Sequence, residues 1–344
     1  MAVLRVPADH TSVQAAVDAA RPGDTIRIAG GIYEETVFIG PDQDRLTLIG
    51  SGQEDVILQG SGQGAGITIS RSSFVTVAGL TVAGFNQGIV VSSSNNVIRD
   101  LTVRGCTDEG IVVYVIGSWN LIYRVTARDN GGDGIQLSGA NNAVIECRVF
   151  NNRDDGIEFQ GSNGIAINNH VTGNDVGIRS IAAGAIIVGN HLAGNTEGIE
   201  TRPAVVIDNV ATRNRRYGIE LVVHQNPLVL SNDVFGNLGA GIRLLDSANL
   251  RLLRNEVEKN EQQGILVEGD SPGNILDENR VEENDAAGIR LTETVSGNVI
   301  RRNDLRGNSP DLEAPPPADQ QNVFEENRCR TSSPRELCCQ TRSS

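Results

Sequence analysis

A periodic series of eleven Gly-Ile pairs runs along this chain, at Gly66, Gly88, Gly110, Gly134, Gly156, Gly177, Gly198, Gly218, Gly241, Gly264 and Gly288, at intervals of 20 to 24 residues. A steady period of this length marks a repeated supersecondary unit, and such repeats constrain the fold more than any local propensity does. The residues that follow read GIVV, GIQL, GIEF, GIEL and GIRL. That is the period-two pattern of a short strand with one buried face. A second series, Asn130, Asn152, Asn174, Asn195, Asn214, Asn237, Asn260, Asn284 and Asn308, runs a few residues ahead of the glycines, with Cys106 in its slot one coil earlier. A third series, Asn169, Asn190, Asn232, Asn255, Asn279 and Asn303, lies five residues before the second, and Cys147 takes one of its slots.

A unit of about 22 residues holds about three short strands and their turns, and stacked units pair equivalent strands in parallel ~4.8 Å apart. Identical residues then form ladders. Isoleucine and valine fill a narrow interior, and asparagine at the turns tolerates a left-handed backbone and hydrogen-bonds from coil to coil. The pattern predicts an all-β parallel β-helix of about eleven to twelve coils, forming a single domain over residues 1–329. With only 3% aromatic residues and 39 glycines, the chain must build its core from aliphatic side chains. A solenoid needs caps over its end coils. Residues 12–22, with Ser12 as N-cap and an apolar stripe of Val13, Ala16, Val17 and Ala20, predict a capping helix. Residues 309–321 read as a proline-rich loop, 322–329 as one more coil edge, and 330–344 as a polar, poorly ordered tail.

The stretch from Ser12 to Gly60, with PGDTIRIAGGIYEETVFI and RLTLIGSG, resembles the opening coils of pectin esterases and NosD-like proteins. The later xNxxDGIxL units resemble the repeats of NosD-like proteins and mannuronan C5-epimerases. The resemblance covers nearly the whole chain. It implies the pectin lyase-like fold with a right-handed helix, and a polysaccharide as partner. Activity is a separate matter, because the repeat residues are structural. The DPHD motif of the epimerases and the GDVDFIFG-like segment of pectin esterases are absent. Of the polygalacturonase signatures NTD, DD, GHG and RIK, only a pair, Asp154-Asp155, has a counterpart. Three functions remain open, one of them a non-catalytic binder of polysaccharide. Another is a hydrolase, lyase or epimerase acting on an acidic polysaccharide. The third is a non-catalytic NosD-like structural, cell-surface or maturation protein.

The net charge of −14 excludes a nucleic-acid backbone as partner. It also works against capture of an acidic polymer unless a cation bridges the two. No apolar run is long enough for membrane insertion. A monomer is expected. With no secretory signal in view, the expected location is cytoplasmic unless the chain is trimmed from an exported precursor. No cysteine spacing matches a zinc site. A disulfide from Cys329 to Cys338 or Cys339 would suit an oxidising compartment, and free thiols are the preferred expectation.

Acidic residues concentrate in the two slots before each glycine in the middle coils. Asp133 and Asp155 should share one ladder, and Asp154 and Asp175 the neighbouring one. Such turns favour Asp for backbone reasons alone. Yet two carboxylates ~5 Å apart repel by ~3 kcal/mol at an effective dielectric of ~20, so an enclosed cluster should hold a proton or a cation. Asp133, Asp154, Asp155 and Asp175 are therefore the candidate catalytic residues, with Arg153, Arg179 or a cation as compensating charge. Asp154, Asp155 and Asp175 are candidate calcium ligands. The outward residues Glu158, Arg179, Glu200 and Glu220, with Arg202, are candidate substrate contacts. His170 and His191 share one slot on a solvated ladder, and His10 and His224 stand alone. Trp119 and Tyr123 flank a turn, with Tyr114 near; packing at a corner is the expectation for them, and stacking on a sugar ring the functional alternative.

Overall fold

The structure, a computed structural model, describes residues 1–202, 204–223 and 226–338. The chain divides into two compact units, Met1–Asp175 and Val176–Ser344. Each is a parallel β-solenoid with three sheets. Among the described residues of the first unit, one sheet runs through eight strands from Val3–Val6 to Ile165–Ile167. The Gly-Ile sheet has six, from Val37–Ile39 to Ile157–Phe159, and a third sheet has seven, from Gly31–Tyr33 to His170–Thr172. Among the described residues of the second unit the corresponding sheets have seven, eight and six strands. The coils thus outnumber the Gly-Ile pairs that mark them, because coils near both chain ends lack the pair.

Register follows the isoleucines. Ile67, Ile89, Ile111, Ile135 and Ile157 are successive partners in the first unit. Ile178, Ile199, Ile219, Ile242, Ile265 and Ile289 are successive partners in the second. All are fully buried. Asparagine amides run beside them. In the first unit Asn130 donates to Asn152, and Asn152 to Asn174. Cys106 and Cys147 sit buried at the head of such runs, their main-chain amides donating to Asn130 and Asn169. Burial pushes their thiols up to about 11 and about 12. A further ladder, Asn96 to Asn120 to Asn142, has no counterpart among the sequence series. It follows the turn after the Gly-Ile strand, where loop length varies and blurs the period.

Helix α1, Val13–Ala19, buries Val13, Ala16 and Val17. The Ser12 hydroxyl accepts from the Ala15 amide, and the Glu35 carboxylate accepts from the Val13 and Gln14 amides. These contacts satisfy three donors that the helix start would otherwise leave open, and place a negative charge at its positive end.

Three expectations at the other end need correction. The proline-rich segment is not merely a loop. Leu312–Glu313 is a strand paired with Ile289–Leu291, and Ala318–Gln321 forms one helical turn. The expected polar tail is ordered over its first part. Ser332–Ser333 pairs with Leu312–Glu313, Arg335–Cys338 forms a 3-10 turn, and Leu337 is buried. Cys329 and Cys338 are joined as a disulfide, against the expected free thiols. The Asp311 carboxylate explains the order, because it accepts from the amides of Asn308, Arg330 and Thr331 and ties the terminal segment to the last coils. Cys339 and the end of the tail lie outside the described residues.

Candidate functional site

In the two coils that carry Asp133 and Asp155, the chain enters the Gly-Ile strand through a turn that begins at a left-handed residue, Asp129 or Asn151, and continues with a ladder asparagine, Asn130 or Asn152. The acidic slots come next. The main chain stacks them: the Asp155 amide donates to Asp133 Oδ1 at 2.9 Å, and the Asp175 amide to the Asp154 carbonyl at 2.9 Å. Asp133 and Asp155 are 4% and 1% exposed, whereas Asp154 is open to solvent. One carboxylate oxygen from each of Asp133, Asp154 and Asp155 lies within 4.8 Å of the other two. Asp175 is exposed and stands outside this group, so of its carboxylate only the adjoining slot is realised. Arg153 makes no ion pair with these aspartates among the described residues.

The outward row of the same strands completes the site. Gln136 is the register partner of Glu158. Gln136 Nε2 donates to Asp133 Oδ2 at 3.0 Å and to Glu158 Oε2 at 3.3 Å, and Gln160 Nε2 donates to that same Glu158 oxygen at 2.7 Å. Asp133 is thus held by neutral donors. Burial pushes its carboxyl up to about 8, and the charges of Asp155 and Glu158 add to this. The bonds from the Asp155 amide and Gln136 oppose it only in part. One coil earlier, Gln87 Nε2 donates to Glu109 Oε2 at 2.8 Å, and the Asp108 carboxyl is raised by burial and by Glu109.

The second unit uses the same slots differently. Arg179 Nη2 bonds Glu200 at 2.9 Å and Arg216 Nη1 bonds Glu197 at 2.5 Å. Arg243 bridges Glu220 and Glu268. The Tyr217 ring lies 5.0 Å from both the Arg216 and Arg243 guanidinium carbons. Oxygens of Glu197, Glu200 and Glu220 also approach within 4.8 Å of one another. Glu197 is pushed up to about 7 by burial and by Glu220, with Arg216 opposing, and its Oε2 is buried with no hydrogen-bond partner. Of the expected substrate contacts here, Arg179, Glu200 and Glu220 are engaged in ion pairs. Arg202 is exposed and makes none among the described residues.

Sequence reasoning missed Gln136, Gln160, Arg216, Tyr217 and Arg243. Their positions on the outward row or beside the acidic slots were legible; their partners across coils were not. His170 is exposed and His191 half-buried, and His224 lies outside the described residues. Trp119 is exposed rather than packed at a corner. A groove of about 810 Å³ in the second unit lies on a different sheet, lined by Leu228, Arg251, Arg254, Ile275, Asp277 and Arg302. Its carboxylates, Asp277 and Glu278, are each paired with arginine, Arg302 and Arg254 among them.

Solved structures of similar fold include the A-module of the Azotobacter vinelandii mannuronan C-5 epimerase AlgE4, 16% identical over 92% of each chain with a TM-score of 0.65. The Dettilon tailspike protein is 15% identical over 94% of this chain and 68% of its own, with a TM-score of 0.62. A mutant of the periplasmic alginate epimerase AlgG is 16% identical over 95% of this chain and 83% of its own, with a TM-score of 0.61. At these identities the likeness is one of fold. No curated protein is similar enough in sequence to count as a relative. Residues 181–305 match a general right handed beta helix region. Residues 6–238 match the Pel9A-like, right handed beta helix region, and the chain, a right-handed parallel β-helix, belongs to that family.

Proposed function

We propose that the protein acts on an acidic, uronate-containing polysaccharide, and that Asp133, Asp154 and Asp155 hold a calcium-type cation at the point of action. The observation that carries this is the convergence of three carboxylate oxygens within 4.8 Å. Oxygens that close can all reach one ion at bond lengths of about 2.4 Å, and hard carboxylate donors suit calcium. Three protein ligands would leave coordination positions for water or substrate.

The chain's charge supports the same reading. At −14 it repels a polyuronate, and a cation at the acidic patch removes that repulsion where contact is needed. A bound cation of this kind would draw electron density from a uronate carboxylate and acidify the hydrogen on the neighbouring ring carbon. Lyases and epimerases both begin by removing that hydrogen. Asp154, the exposed member, meets the polymer first. Asp133 and Asp155 are fixed from below by the coil ladder. Glu158, tied to Asp133 through Gln136, is the proposed substrate contact beside them. Arg202 is the proposed partner for a uronate carboxylate in the second unit. The names of the similar solved structures, mannuronan and alginate epimerases, guide the choice of polymers to test.

The test combines calcium titration by calorimetry with assays for unsaturated uronates, reducing ends and epimerised residues on mannuronan, alginate and pectate. Turnover that is lost on chelation, and calcium binding that is lost in the Asp154→Asn/Asp155→Asn double variant, are the expected results. Turnover indifferent to both would overturn the reading. Calcium-dependent binding without turnover on any polymer would instead support the non-catalytic alternative.

A further inference from the structure

We infer that the loop Tyr114–Trp119 is a stacking platform for the pyranose rings of the polysaccharide, beside the aspartate cluster; this deepens the function proposed above and rests on it. The loop reads YVIGSW, where adjacent coils turn through SSSN, SGAN and QGSN. The repeat from Gly110 to Gly134 spans 24 residues, against 22 for the repeats on either side, and the extra length lies here. Polar and glycine turns suffice in the neighbouring coils, so the solenoid itself does not demand apolar residues at this place. Yet Tyr114, Val115, Ile116 and Trp119 are 43%, 74%, 70% and 64% exposed.

Trp119 also has a left-handed backbone, with φ of 59°. The equivalent turn positions in the adjoining coils are Asn95, Asn141 and Asn163, the residue type suited to that conformation, while Phe74, one coil before Asn95, is a second exposed aromatic residue in the left-handed region. A bulky residue in that conformation is strained, and such strain concentrates where function demands it. Next to it, the Asn120 amide still joins Asn96 and Asn142 in the ladder, so the turn keeps its place in the stack while Trp119 projects outward.

Two contacts tie the loop to the candidate site. The Tyr114 hydroxyl lies 3.4 Å from Gln87 Oε1, so its ring reaches back across the strands Gln87–Ser92 and Ile111–Val113 to the slot that holds Gln87, Glu109, Asp133 and Asp155 in successive coils. The loop also rests on the Asp133 coil, because a Cβ on Gly139 would meet the Gly117 carbonyl oxygen at 1.8 Å. An aromatic ring with one exposed face, held by its hydroxyl beside charged and amide groups, matches a sugar ring: apolar C–H face against the ring, hydroxyls to the polar neighbours.

Trp119 is the chain's single tryptophan, so its emission reports this loop alone. The experiment titrates the full chain, in calcium, with a polyuronate while recording tryptophan emission and retention on a gel containing the polymer. A saturable change in emission is expected at the polymer concentration that half-saturates retention. Trp119→Asn, which installs the neighbours' own turn residue, should keep or raise the melting temperature and weaken retention by about 3- to 10-fold. Retention or turnover with unchanged emission, and unchanged affinity in Trp119→Asn, overturns the platform and leaves the proposed function standing. Absence of any polymer interaction fails the proposed function and the platform together. Concentration-dependent dimerisation that Trp119→Asn abolishes would assign the loop to a second copy of the chain and overturn the platform.

Discussion

The two carboxylate clusters gather around the same Gly-Ile strands, one just before the glycine and the other mostly on the outward row, and they deal with crowded charge in different ways. In the second unit every glutamate of the cluster is tied to an arginine: Glu197 to Arg216, Glu200 to Arg179 and Glu220 to Arg243. In the first unit Asp133 is held by a main-chain amide and a glutamine, and it rises to about 8. Arginine compensation is a structural solution, although at Glu197 it is incomplete, since that carboxyl still rises to about 7. Charge left under neutral donors needs a proton or a cation, and that need is what a site can use. The difference teaches that acidic density alone does not locate function in a solenoid; the chemistry of the partners does.

The largest effect expected should be blind to this contrast. Ile135→Asp in the first unit and Ile219→Asp in the second each place a charge at a fully buried ladder position, with a cost of at least several kcal/mol. Both should fail to give a cooperative thermal transition. A stable Asp variant at either position would show that the two cores are not equivalent.

Next comes the contrast itself. Arg243→Met strands Glu220 in a largely buried place and should cost about 3–5 kcal/mol in urea unfolding. Asp133→Asn removes a crowded carboxyl and should change stability by less than about 1 kcal/mol, or raise it. Equal losses from the two would erase the distinction drawn here.

The pH dependence sharpens it further. Asp133 binds its proton more tightly in the folded chain, about 8 against an ordinary 3.8, so the folded state carries more protons between those values. The Asp133 contribution to stability is therefore fullest below about 4 and declines as pH rises toward about 8 when divalent cations are removed. Asp133→Asn should flatten that decline, and saturating calcium should suppress it. A metal-free chain whose melting temperature climbs across this range would contradict the account.

The smallest effect concerns the ladders. The Val125 amide donates to Cys147 Sγ at 3.5 Å, a weak bond where other coils use an asparagine oxygen. Cys147→Asn should stabilise the first unit by about 0.5–1.5 kcal/mol if the wider side chain fits. A loss of stability would mean that the thiol is there for packing.

The fold was legible because its determinants repeat. One Gly-Ile pair is weak, but eleven in register leave a single way to stack Ile67 on Ile89 and Ile111. The aspartates were legible as slots for the same reason: Asp133 and Asp155 meet because their positions are one coil apart. What escaped was whatever depends on side chains that reach between coils. Nothing in the spacing says that Gln136 would bridge Asp133 and Glu158, or that Arg243 would turn to Glu220 and Glu268. Asp175 failed to join the cluster for the converse reason, since a shared main-chain ladder does not fix where an exposed side chain points. The terminal segment was misread because its order comes from the single carboxylate of Asp311 and one disulfide, neither of which repeats.

The asparagine amides bear on how such a molecule comes apart. In the second unit one chain of side-chain hydrogen bonds runs unbroken from Asn190 through Asn209, Asn232, Asn255, Asn279 and Asn303 to Asn327. In each link an amide that gives also receives, so loosening one coil weakens the grip on the next. A solenoid has no distant contacts to arrest that spread. Amide exchange would then advance as a front from an exposed end, and it would change pace where a file of asparagines ends at a thiol. The buried cysteines of the first unit mark such places, seams at which the molecule can open by a measured number of turns without surrendering the rest.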